Sequence, residues 1–193
     1  DNIKSNINEK LIAILKEHNL DCADDLTKNF YQAKKLLSQY KVQMILGKKL
    51  DDNNLINKML LSKKIFEELI VLLGPDIEYN ASTEVLFNDK SAIDDDYLFK
   101  KYHQEYWSGT GIEALLIWIP IHLLPGMGTI EIIKKSHSWG HIPHRNRAPL
   151  EIPKNHECEI IDVEEGSVVI MTALTLHRTV INNHDQPRIA LPV

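Results

Sequence analysis

Basic residues, cysteines and long apolar runs are all scarce in this chain of 193 residues. Lys and Arg number 22 against 27 Asp and Glu, a net charge of −5 at pH 7. That balance argues against a nucleic-acid binder, which needs a basic excess or a basic face to neutralise phosphates. Two cysteines, Cys22 and Cys158, stand far apart and form no CxxC pair, so neither a disulfide framework nor a thiolate zinc site is expected. The longest apolar run, ALLIWIPIHLLPG from Ala114, is interrupted by Pro120, His122 and Pro125. It falls short of the roughly 18 apolar residues that span a bilayer. No charged-then-apolar leader opens the chain. The expectation is a cytoplasmic protein without membrane or nucleic-acid partners.

What is present divides at about residue 75. Apolar residues at 44% suffice for one substantial core. Segments 8–18, 24–46 and 54–73 carry them at spacings of three and four, the rhythm of amphipathic helices. In the second segment Leu26, Phe30, Ala33, Leu37 and Tyr40 keep that rhythm, with Asp24 as candidate N-cap and Gly47 as candidate stop. The Gly-Pro of LLGPD closes the helical part. Beyond it, short β-branched and aromatic runs alternate with turn signals, at 83–87, 97–103, 112–121, 128–133, 157–163, 167–172, 176–181 and 188–193. So many short strands in this length predict a jelly roll or barrel. The whole is expected to form a single domain, 1–193, its helices over 1–75 packing on a β core over 76–193.

The chemistry concentrates in KYHQEYWSG, which sets His103 and Glu105 two residues apart. About one such pair is expected by chance among nine histidines, so the pair needs a third partner. In an extended strand, residues i and i+2 face one side, which lets both present donor atoms to one cavity. A facial triad, with two imidazoles and one carboxylate on one side of a ferrous ion, leaves the opposite positions open. His177, at the start of a late β-like run, is the candidate third ligand. Arg188 opens the last strand, where a guanidinium can grip a carboxylate through two parallel hydrogen bonds. Thr179 shares a face with His177.

Two bland readings apply elsewhere. His137, His141 and His144 lie in a proline-interrupted loop without Cys or carboxylate, a poor zinc donor set. The same loop carries Lys134, Lys135, Arg145 and Arg147 and no acid. Arg145 and Arg147 are therefore candidates for steering an anionic substrate, against the alternative of a solvated loop.

Taken in order, His103-x-Glu105, Trp118, Gly128, Ser136-His137, His177, Thr179 and Arg188 resemble the phytanoyl-CoA dioxygenase-like branch of the iron(II)/2-oxoglutarate oxygenases. The match covers 97–193. Glu105 replaces the commoner Asp, Lys134-Lys135 stand where Pro-Gly is usual, and Met127 stands where Asn usually precedes the glycine. The resemblance implies a double-stranded β-helix, a mainly β cupin-like jelly roll preceded by an α-helical region. It implies Fe(II) on His103, Glu105 and His177, with 2-oxoglutarate and O2 as co-substrates. Arg188 and Thr179 would hold the far carboxylate of 2-oxoglutarate, with Trp118 on the cofactor side. The implied reaction hydroxylates a substrate C–H bond and releases succinate and CO2. Two alternatives remain: a cupin-like metal enzyme that does not use 2-oxoglutarate, and a non-catalytic ligand-binding barrel.

Overall fold

The computed structural model describes residues 2–52, 54–79, 84–90 and 101–193. It divides into two units, Asp1–Leu86 with Leu191–Val193, and Phe87–Ala190. The first unit is helical: α1 (Asn2–Glu17), α2 (Leu26–Leu37), α3 (Gln39–Asp52), α4 (Leu55–Leu60) and α5 (Lys63–Leu73). Helices α1, α2 and α3 pack mutually around Ile7, Leu11, Leu15, Phe30, Ala33, Val42 and Leu46, all buried. Among the described residues, no helix is long and apolar enough to cross a membrane.

Helical periodicity locates these elements, but their ends differ from expectation. Asp25 rather than Asp24 caps α2, its carboxylate accepting from the Lys28 amide at 2.9 Å. The expected long second helix breaks at Ser38, whose φ of 75° is incompatible with a continued right-handed helix. Gly47, read as a stop, lies buried inside α3. The third segment splits at Leu61 and Ser62 into α4 and α5.

Among the described residues, strands follow in nine short pieces: β1 (Leu86–Asn88), β2 (Leu115–His122), β3 (Ile130–Ile133), β4 (His144–Arg145), β5 (Ala148–Pro149), β6 (Cys158–Ile160), β7 (Val169–Thr172), β8 (His177–Thr179) and β9 (Arg188–Pro192). They form a four-stranded sheet in the order β1-β9-β2-β7, a three-stranded sheet β6-β3-β8 and the hairpin β4-β5. Pairing is antiparallel for β2 with β7, and for β3 with both β6 and β8. Trp118 of β2, Met171 of β7 and Ala190 of β9 share one buried cluster with Ile130 of β3, so the two larger sheets supply a common core. The hairpin was not foreseen. Its turn residues Asn146 and Arg147 have φ of 50° and 55°, the left-handed pair that two-residue hairpins use. Most of the strand expected over 97–103 lies outside the described residues. Its last residue, His103, makes a single bridge to His177.

Candidate metal centre

His103 and His177 face each other across that bridge, each amide donating to the other's carbonyl, at 3.0 and 3.1 Å. This closely hydrogen-bonded pairing brings the two rings to 4.3 Å between centroids. Glu105 arrives differently from expectation: Gln104 is extended, and Glu105 begins a 3-10 turn, Glu105–Ser108, rather than continuing a strand. The carboxylate still shares the imidazoles' side. Glu105 Oε1 lies 3.3 Å from His103 Nε2 and 3.5 Å from His177 Nε2. From the turn, the Glu105 side chain thus reaches both imidazoles.

The backbone settles which ring nitrogen carries hydrogen. His103 Nδ1 lies 2.8 Å from the Lys101 carbonyl, and His177 Nδ1 2.9 Å from the Thr175 carbonyl. A carbonyl only accepts, so both Nδ1 atoms donate, and in a neutral ring Nε2 is left with its lone pair. Two lone pairs and a carboxylate oxygen then converge, a mutually repulsive set unless a proton or cation lies among them. Adjacent ligands held about 2.1 Å from a divalent ion sit roughly 3–3.4 Å apart, close to the separations present. Among the described residues this is the one group of three His, Cys, Asp or Glu donors whose ligand atoms lie within 4.8 Å of one another. Burial alone would raise the Glu105 pKa, but where either ring carries a second proton, on Nε2, it hydrogen-bonds to and attracts the carboxylate and holds the carboxyl well below its usual range; a cation in that proton's place favours the ionised carboxylate in the same way. A donor set of two neutral imidazoles and one ionised carboxylate fits a ferrous or similar divalent ion.

Side-chain devices, more than strand pairing, hold this segment. Gln104, with 0% exposure, donates from Nε2 to the Gly140 and Leu174 carbonyls at 2.9 and 2.7 Å and accepts the Ile142 amide at 3.1 Å. Ser136 Oγ, also buried, accepts the Leu176 amide at 2.8 Å, one residue before His177. On the flanking positions, Tyr102 Oη donates to Glu131 at 2.8 Å. Arg178 pairs with the same carboxylate and lies over the Tyr102 ring at 4.7 Å. Burial raises the Glu131 pKa, but Arg178 and Tyr102 outweigh it and lower it overall. Neither Gln104 nor this clamp was identified from sequence. Strand alternation turns them away from the ligands, and their partners lie tens of residues distant.

Arg188 is the largest fully buried side chain, 1% exposed. Its Nη1 donates to the carbonyls of Gly128 and Thr129 at 3.1 and 2.9 Å, and its guanidinium lies 5.1 Å over the Trp118 ring. Among the described residues no carboxylate pairs with it, and its Nε has no hydrogen-bond partner. Burial pushes its pKa down to about 10, so it stays charged at neutral pH. A buried cation without a counter-ion is costly and is a ready receptor for a ligand carboxylate. Sheet register connects it to the ligands. His177 pairs with Ile132 and Thr179 with Ile130, while Val180 and Arg188 both donate to Thr129. Three residues of strand, about 10 Å, thus separate the His177 level from the Arg188 level, with Thr179 between them.

The remaining candidates sit at the margin. Arg147 contacts Ser108 at the end of the Glu105 turn, and Arg145 is exposed on β4. A cleft of about 520 Å³ is lined by Tyr106, Trp107, Gly109, Thr110, Gly111, His141 and His144. It adjoins Glu105 along the chain, but none of the three ligand residues lines it. Trp107 stacks on His144 at 4.5 Å, so His144 is occupied in packing. His137 is exposed.

No protein-family profile matches the chain, and no curated protein matches it in sequence. In structure it is similar to the apo form of ThoJ, a non-heme monooxygenase, with a TM-score of 0.53 and 16% identity over 96% of this chain and 67% of that one. A second similar structure is the epimerase SnoN in complex with Fe3+, α-ketoglutarate and nogalamycin RO, with a TM-score of 0.47 and 16% identity over 57% of this chain. This chain covers 46% of SnoN. At such identity the likeness to ThoJ is one of fold alone.

Proposed function

We propose that the chain is an iron(II)- and 2-oxoglutarate-dependent oxygenase that hydroxylates a C–H bond of a small-molecule substrate, built on a double-stranded β-helix of the phytanoyl-CoA dioxygenase-like kind. The observation that carries this reading is the convergence of His103 Nε2, His177 Nε2 and Glu105 Oε1, with both Nδ1 atoms committed to backbone carbonyls. Iron held there would supply, with O2 and 2-oxoglutarate, the oxidative decarboxylation to succinate and CO2 that drives hydroxylation. The protein's own part is positioning. His103, Glu105 and His177 form one facial set and leave the opposite side open. Arg188, lacking a carboxylate partner, takes the far carboxylate of 2-oxoglutarate, with Thr179 adding a hydroxyl donor. Trp118 acts indirectly, its ring backing the guanidinium.

Arg145 serves an anionic substrate approaching the neighbouring cleft, while Arg147 anchors the turn that begins at Glu105. Support for the steering role is charge alone: an acid-free loop on an acidic protein. A cupin-like metal enzyme without 2-oxoglutarate would have no use for a buried, unpaired Arg188.

The decisive assay is succinate formation from 2-oxoglutarate on a metabolite panel with iron and ascorbate, comparing wild type with Arg188→Ala. Succinate from the wild type and little from the variant supports the reading. Turnover of a panel compound without 2-oxoglutarate, unaffected by Arg188→Ala, would replace it with the cupin-like alternative.

A further inference from the structure

Between the two ligands of the His103-x-Glu105 pair stands a residue that touches neither substrate nor metal. We infer that Gln104 is a positioning residue that sets the ligand geometry by tying three backbone segments into one unit; this rests on the metal reading above. Its amide satisfies its hydrogen-bonding capacity almost entirely with backbone. Nε2 spends both hydrogens, on the Gly140 and Leu174 carbonyls, and Oε1 accepts the Ile142 amide. The side chain is wholly buried, so no water replaces a bond that is lost.

The three segments matter for where they lead. Leu174 lies three residues before His177, the third ligand. Gly140 and Ile142 lie in the loop bearing His141 and His144, which wall the cleft. Gln104 itself is flanked by the other two ligands. One planar amide therefore references the His103–Glu105 segment to the His177 segment, and both to the cleft wall. Regular pairing cannot do this here. The ladder at His103 is a single bridge, and the chain departs into a 3-10 turn at Glu105. Past the bridge, the Tyr106 amide, donating to Ala173 at 3.2 Å, is among the described residues the one backbone hydrogen bond that ties the turn back to the segment before His177. Glutamine suits the task because two donors and an acceptor share one plane. Glutamate would lose both donors and methionine all three bonds at similar volume.

The test uses Co(II) as an absorbing probe of the metal-free full chain. Gln104→Met is expected to raise the Co(II) dissociation constant about tenfold or more and to alter the Co(II) visible spectrum. Asn182→Ala provides the control for plain destabilisation. Asn182 is fully buried and also donates to two carbonyls, Asn88 and Gln186, but lies outside the ligand segments. It should lower the melting temperature while leaving Co(II) affinity within about twofold and the spectrum unchanged. A folded Gln104→Met with wild-type affinity and spectrum, or an Asn182→Ala equally impaired in both, overturns the inference.

Should Gln104→Met not fold, hydrogen exchange on the wild type decides. Co(II) should slow exchange of the Ile142 amide as it does those of His103 and His177; an unchanged Ile142 rate overturns the inference. Wild type that takes up no Co(II) at all instead refutes the metal reading itself.

Discussion

His103 and His177 show how little a single residue's identity says and how much its second nitrogen says. Each ring is oriented by a carbonyl two residues upstream, so the lone pairs converge by backbone geometry and not by chance. The two histidines and the carboxylate that converge are marked in sequence by their ordered spacing, as is Arg188, whose role is a proposal. Their third-party supports are not. Gln104 stands between two marked residues with no signal of its own, and the link of Trp118 to the site, its ring under Arg188, depends on packing that spacing does not encode. The same scale yields a prediction for Arg188. Lysine keeps the charge but loses the planar fork, so Arg188→Lys should raise the KM for 2-oxoglutarate at least about tenfold with a smaller effect on kcat. Steady-state kinetics with varied 2-oxoglutarate checks it.

Elements were found more reliably than their ends. Helical periodicity located the α segments but could not reveal the break at Ser38 or the split before α5, which depend on backbone conformations that several sequences tolerate. The β4-β5 hairpin was missed because Asn-Arg is a weak turn signal beside Asn-Gly. Lys135, where the resemblance leads one to expect glycine, has φ 60°, a left-handed backbone that glycine adopts more readily.

Gly128 permits no such substitution. A Cβ there would stand 2.6 Å from the Ile181 carbonyl oxygen and 2.8 Å from that of Val180, at a φ of +69°. Gly128→Ala should therefore destabilise by at least about 2 kcal/mol in urea unfolding. The Tyr102–Glu131–Arg178 clamp predicts a pH signature. Glu131 has a folded-state pKa below its ordinary 4.5, so the stability it contributes is complete above that value and is lost as pH falls through the lowered pKa. The stability gap between wild type and Glu131→Gln, measured by denaturant titration, should close on acidification below about pH 4.5.

At the scale of the molecule, the division into a helical part and a later β part was readable from the change of periodicity near residue 75. Of the two units, the first holds the helices and also claims the chain's return over Leu191–Val193, while the second spans Phe87–Ala190. Such a return joins residues more than a hundred positions apart, which local periodicity does not encode. A protein whose site binds a divalent ion gains stability by mass action. At a free concentration about 100 times the dissociation constant, the gain is about 2.7 kcal/mol, or roughly 5–10 °C in melting temperature for a chain of this size. Thermal unfolding with and without Co(II) should show that rise, and His177→Ala should abolish it.

The central claim, that three groups remote in sequence form one divalent-metal site, is tested most directly by anaerobic titration of the metal-free chain with Fe(II), read by calorimetry. The account predicts one equivalent bound by the wild type, with affinity reduced about 100-fold or more in each of His103→Ala, Glu105→Ala and His177→Ala. No saturable binding by the wild type, or binding that survives all three substitutions, would contradict it.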